Sequence, residues 1–266
     1  MDRLPNNPPP TNTIIHNQNI MKTNQSIIAQ WLAIVIAGCL FHHKASAEIE
    51  PAARELAKAV TAKLGGAQSI RLNANHKLDP ALGVGAKVEN GPIKITMQRP
   101  NRVYSIQRAG DQTLEIAYDG KTFCVMHPAL KHHAIEPLKA GSVDQFADSV
   151  DERFGFRPPL AELLSSDVST QLFRHVTSAR IIGTESVGWT RCQRLQFEQP
   201  GITGDLWVGV KDKLPRRYRL TFTGIKGSPT WDIRLSKWEL NVPVDESLFT
   251  KRPAADSYKI QMLKSR

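Results

Sequence analysis

From Ile70 to Leu78 apolar and polar positions take turns: Ile70, Leu72, Ala74, His76 and Leu78 alternate with Arg71, Asn73, Asn75 and Lys77. A period of two predicts a strand with one buried and one wet face. The alternation returns in Ile93, Ile95 and Met97, in Tyr104, Ile106 and Arg108, and in Leu114, Ile116 and Tyr118. That last run meets Asp119-Gly120 and continues as Lys121 to Met126, and an Asp-Gly pair between two alternating runs predicts a hairpin. Pro128 marks another turn, after which residues 131–135 return. Short connections of this kind mean antiparallel pairing.

The period lengthens in two places. Behind Pro51, the residues Leu56, Val60 and Leu64 recur every fourth position until Gly65-Gly66, which predicts an amphipathic helix. In the middle, Ser142 and Gln145 have capping-box spacing, and Val143, Phe146, Ala147, Val150 and Phe154 form a helical apolar face. Pro158-Pro159 opens a short helix with Leu160, Leu163 and Leu164, and Leu172, Phe173 and Val176 predict a further turn or two. Alternation then resumes in Leu195 and Phe197, in Leu206, Val208 and Val210, in Tyr218, Leu220 and Phe222, and in Trp231, Ile233 and Leu235. Trp238 and Leu240 change phase, as a bulge would cause.

About nine to eleven antiparallel strands with one apolar face each are too many for these few helices to cover flatly. The economical fold is α+β: a curved antiparallel sheet, an unclosed half-barrel, with a helical lid over its concave face. Alternation places Leu72, Ile95, Ile106, Leu195, Phe197, Leu206, Leu220 and Phe222 on the concave wall, with Phe146, Val150 and Leu163 facing them from the lid. Such a wall takes an apolar ligand, or it is a packed core built of the same residue types.

Residues 1–20 are rich in Asn, Pro and Thr and have no apolar period, so they read as a disordered upstream extension preceding the true start at Met21. Lys22, the uncharged run from Ile27 to Phe41 and the triplet Ala45-Ser46-Ala47 make residues 21–47 a signal peptide cut after Ala47. The run is short of the roughly 20 residues that span a bilayer. Ile36-Ala37-Gly38-Cys39 also has the form of a lipobox, so a lipoprotein anchored at Cys39 is the alternative. Periplasmic export follows in either case, with one domain over 48–253 and a basic tail over 254–266.

The chain carries 35 Lys+Arg against 25 Asp+Glu. Without residues 1–47, and so without Arg3, Lys22, Lys44 and Asp2, the net charge is +8. That charge is not gathered into a stripe, and with the export signal it argues against nucleic acid and for envelope surroundings. Cys124 and Cys192 are left as the mature cysteines, able to form a disulfide if they lie close enough and otherwise buried small residues.

Arg99-Pro100-Asn101-Arg102, Tyr118-Asp119-Gly120-Lys121-Thr122, Asp151-Glu152-Arg153-Phe154-Gly155 with Pro159 to Leu164, Gly183-Thr184-Glu185 with Cys192 and Leu195, and Leu214-Pro215-Arg216-Arg217 occur in that order. With Trp238, Leu240-Asn241 and Phe249 they resemble a bacterial family of uncharacterised predicted periplasmic proteins, over most of residues 48–253. That family is similar in architecture to periplasmic lipoprotein carriers and receptors of the LolA and LolB type. The resemblance implies non-covalent carriage of a lipid or of a lipoprotein's acyl chain, and it supplies no catalytic residues.

The residues read for chemistry agree with a non-enzyme. His127, His132 and His133 flank a hairpin turn but lack a carboxylate or Cys at ligand spacing. Gly183 to Gly188 is not a nucleophile elbow, because Thr184 stands where that motif needs glycine. Asp151-Glu152-Arg153 reads as a solvated ion pair, and Arg216, Arg217 and Arg219 as a charged outer strand face. No cofactor and no metal is expected, the partners are lipid or lipoprotein acyl chains and envelope membrane proteins, and the protein is a monomer. A filled-core envelope scaffold is the second reading and an envelope hydrolase the third.

Overall fold

Pro51 to Leu64 wind into α1 as the period-four pattern predicts, with Leu56, Val60 and Leu64 buried along one stripe. The computed structural model describes residues 48–82, 89–109 and 112–262. The upstream extension, the signal peptide with Cys39, and the last four residues of the tail lie outside the described residues.

Six strands follow the helix: β1 (Ser69–Leu78), β2 (Glu89–Gln98), β3 (Arg102–Ala109), β4 (Gln112–Tyr118), β5 (Thr122–His127) and β6 (His132–Pro137). Three helices interrupt, α2 (Val143–Phe154), α3 (Ala161–Leu164) and α4 (Val168–Phe173). The sheet resumes with β7 (Ser178–Val187), β8 (Thr190–Gln199), β9 (Ile202–Gly209), β10 (Pro215–Thr221) and β11 (Thr230–Leu240), and closes with the two-residue β12 (Tyr258–Lys259).

All twelve strands join one unclosed, curved sheet in the order β12-β6-β5-β4-β3-β2-β1-β11-β10-β9-β8-β7. Pairing is antiparallel except between β12 and β6. The count exceeds the expected nine to eleven because β7 and β12 hide from the pattern. β7 is an edge strand with few buried positions, so it lacks alternation, and β12 is too short to show a period. The phase change near Trp238 is a bulge. Asn73 faces Lys237 while Ala74 faces Leu235, so Ser236 is the extra residue, and its hydroxyl donates to the Asn73 carbonyl at 3.0 Å.

The main core lies between the concave face of the sheet and the helices, and reaches from Leu56 of α1 through Leu72 and Ile95 of the wall to Phe146 and Leu163 of the lid. A second, smaller core sits on the back of β3–β6, where Tyr104, Ala117, Cys124 and Met126 pack against Phe249. The C-terminal segment builds it by crossing that back face. Within the basic tail the chain is a structural strap through residue 262: the Tyr258 N–H bonds the Lys131 carbonyl, the Ile260 N–H bonds that of His133, and Lys131 pairs with Asp256.

Candidate functional site

Register shows how the concave wall is made. Leu72 faces Ile95 across β1 and β2, and Leu195 faces Leu206 across β8 and β9, so each pair adds two apolar side chains to the same surface. In β10 and β11 the pair Tyr218 and Ile233 continues it. Phe146 descends from α2 and stacks on Tyr118 of β4, ring centroids 4.1 Å apart, with Phe123 edge-on at 5.4 Å.

Polar tethers hold the ends of the lid. The Tyr118 hydroxyl accepts the Ala140 N–H at 2.9 Å, Asn101 Nδ2 donates to the Ala140 carbonyl at 2.8 Å, and the Val143 N–H bonds the Pro100 carbonyl. Gly120 must be glycine here, because its φ is 95° and a Cβ would stand 2.8 Å from Asn101 Nδ2. Ser142 caps α2 by accepting the Gln145 N–H, while Gln145 Oε1 accepts the N–H of Gly141. At the far end of α3, the Arg99 guanidinium donates to the carbonyls of Ala67, Leu164 and Ser165 at 3.0, 3.2 and 3.2 Å. Burial lowers the pKa of Arg99, with Asp144 working against that shift. Thr61 of α1 accepts the Ser169 N–H of α4 at 2.8 Å. The two sequence motifs around Arg99 and Asp119 thus converge on the start of α2 and the end of α3.

Between these tethers the lid rests on the wall through apolar contact. A cavity bounded by Ile95, Val103 and Ser105 of the wall and by Phe146, Ala161 and Leu164 of the lid measures about 10 Å³. That is about the room of one water. Farther along the wall, Leu78, Leu220 and Trp231 are half-buried, and Trp231 Nε1 donates to His76 Nδ1 at 3.3 Å. Burial pushes the Tyr218 phenol well above its usual range, and the charge of Glu162 on α3 adds to that shift. Burial likewise raises the Glu162 carboxyl.

Most of the residues expected on this surface do come together. Leu72, Ile95, Leu195, Phe197, Leu206, Phe146, Val150 and Leu163 are all buried in the main core, with Leu220 partly buried against it. Two do not fit. Ile106 points to the back of the sheet and packs in the second core, because Ser105, not Ile106, shares the face of Val103 and Ile95. Phe222 lies just beyond β10, half-buried, its N–H bonded to the Pro229 carbonyl. Sequence reasoning missed Tyr118, Arg99 and Asn101 as lid anchors, although the short motifs containing them were the signal.

The possible disulfide is not formed: Cys124 on β5 and Cys192 on β8 are buried free thiols, separated in the sheet by seven strands. Burial raises both thiols. Among the described residues no three or more His, Cys, Asp or Glu stand together as a metal would need. Arg217 and Arg219 spend their charge on Asp232, and Arg216 on Asp212. Among the described residues no helix is long and apolar enough to cross a membrane.

No curated protein matches the chain. Solved structures similar to it include an uncharacterised conserved protein from Thermus thermophilus, at 12% identity and TM-score 0.47, covering 79% of this chain and 98% of that one. The lipoprotein LppX of Mycobacterium tuberculosis is similar at 15% identity and TM-score 0.43, over 74% and 98% of the two chains. A LolA superfamily protein from Nitrosomonas europaea is similar at 10% identity and TM-score 0.33, over 75% and 97%. The model of one family, described as predicted periplasmic protein, matches residues 53–263, and the chain belongs to that family, DUF2092.

Proposed function

We propose that this periplasmic-family protein holds an apolar ligand, such as an acyl chain of a lipid or lipoprotein, without covalent chemistry between the concave wall and the helices α2–α4. The observation that carries the reading is the division of labour in the lid. Its part-buried and buried polar bonds run through Tyr118 and Asn101 at the start of α2, Arg99 at the end of α3 and Thr61 at α4, and Arg153 bonds the Pro137 carbonyl at the surface, while Phe146, Val150 and Leu163 touch the wall through apolar atoms alone. Lifting the middle of the lid breaks no buried hydrogen bond, and an acyl chain replaces the lost apolar contact with its own. Binding sites for small molecules usually enclose about 300–1,000 Å³, so the cavity of about 10 Å³ under α2 and α3 has to open as the ligand enters.

The small size of that cavity favours a second reading, an envelope scaffold with a filled core. Organic extraction of the purified protein followed by mass spectrometry, together with titration of a fluorescent fatty acid, separates the two. Co-purifying lipid and saturable uptake support carriage. A lipid-free extract with no uptake overturns it and leaves the scaffold.

A further inference from the structure

The β7–β8 hairpin runs past the last core residues of its end of the sheet. From Ile182 to Ser186 every residue is exposed, and the hairpin turns at Gly188, φ 57°, to place Trp189 at its tip with its ring wholly in solvent. A side chain of this size is usually among the most buried, and its amphipathic ring is favoured where an apolar phase meets water.

The unpaired charge beside the tip has one sign. Arg191 follows Trp189 by two residues, and its carbonyl accepts the Val210 N–H at 2.9 Å, which holds the β9–β10 turn alongside. Arg191 and Lys211 then line one groove of about 340 Å³ with Thr184, Gln193 and Val210. The neighbouring acids are engaged elsewhere. Asp212 pairs with Arg216 and accepts the Leu214 N–H, and Glu185 accepts the Trp207 Nε1–H at 2.7 Å and pairs with Arg194. Arg191, Lys211 and Lys213 form no ion pair with a described residue.

We infer that this tip is a docking surface for an anionic phospholipid membrane, with Trp189 entering the headgroup region while Arg191 and Lys211 meet the phosphates. A projecting aromatic at a hairpin tip suits a deformable surface, and the two unpaired cations of the adjoining groove complement an anionic one. The inference is independent of whether the concave wall holds a ligand.

The test reads Trp189 itself, so that the apolar run 27–41 of the full chain does not contribute. Tryptophan emission is recorded with vesicles of brominated phosphatidylglycerol and of brominated phosphatidylcholine, and the signal of W189F is subtracted. The expected result is a blue-shifted, quenched Trp189 on phosphatidylglycerol, weakened by salt and absent on phosphatidylcholine. Each of R191Q and K211Q is expected to raise the lipid concentration for half-maximal quenching about fivefold. Equal quenching on both lipids overturns the electrostatic part of the inference. A Trp189 that stays unquenched on phosphatidylglycerol overturns the whole.

Discussion

The ring of Phe197 lies directly over the backbone of Gly204, its cross-strand partner on β8 and β9, so closely that a Cβ on Gly204 would stand 2.0 Å from Phe197 Cζ. The bare glycine lets the ring lie down on the sheet, facing Tyr218 with centroids 6.3 Å apart. The shape of the concave wall at this end is set by that pair.

Gly204→Ala is therefore expected to push the ring off the wall at a cost of about 1–3 kcal/mol. Urea unfolding checks it. The double variant Gly204→Ala with Phe197→Leu should recover part of the loss, since the added methyl then has room. Losses that simply add would show that the two residues are not coupled.

Replacing Arg99 by Leu leaves the carbonyls of Ala67, Leu164 and Ser165 without their donor. Hydrogen bonds to a charged group are worth about 1.5–3 kcal/mol, so the melting temperature should fall and amide exchange in α3 should quicken. Exchange unchanged in residues 161–166 would show that Arg99 does not hold the lid.

Acid should weaken the arginine ladder on the back of β10. Burial works to raise the Asp232 pKa, but the hydrogen bonds and charges of Arg217 and Arg219 outweigh it and lower the folded value. With a lowered folded pKa, the stabilisation is complete above the unfolded value near about 3.9 and is lost as pH falls through the folded one. Asp232→Asn should cost about 1–3 kcal/mol at pH 7, a difference that shrinks below about pH 4. Stability curves of the two proteins that stay parallel from pH 7 to pH 2 contradict this.

Phe249 is fully buried in the second core and joins the C-terminal strap to the back of β3–β6. Its replacement by Ala is expected to cost about 3–5 kcal/mol and to release the strap to proteolysis. A variant that melts with the parent and resists limited proteolysis would mean that the strap is held by β12 and Asp256 instead.

Much of the fold is written in local pattern. The period-two runs place ten of the strands, Pro51 with the four-residue spacing places α1, and Ser142 with Gln145 places the start of α2, because backbone geometry and capping act within a few residues. The bulge at Ser236 is visible in the same way, since one extra residue reverses the phase of everything after it.

Which face of a strand is the inner one depends on distant chain. In β3 the residues Val103, Tyr104, Ser105 and Ile106 offer apolar groups to both sides, and Ile106 reads as wall only while the back is taken to be wet. Phe249, more than 140 residues away, covers that back and makes both faces dry. Alternation by itself determined that this chain builds a wide antiparallel sheet with one greasy face and a few covering helices. Only the tertiary structure decided that a strap covers the back of β3–β6 and that Arg99 and Asn101 pin the lid. It also decided that the space beneath α2 and α3 is filled, because packing and long-range hydrogen bonds depend on which surfaces meet, a choice no local period records.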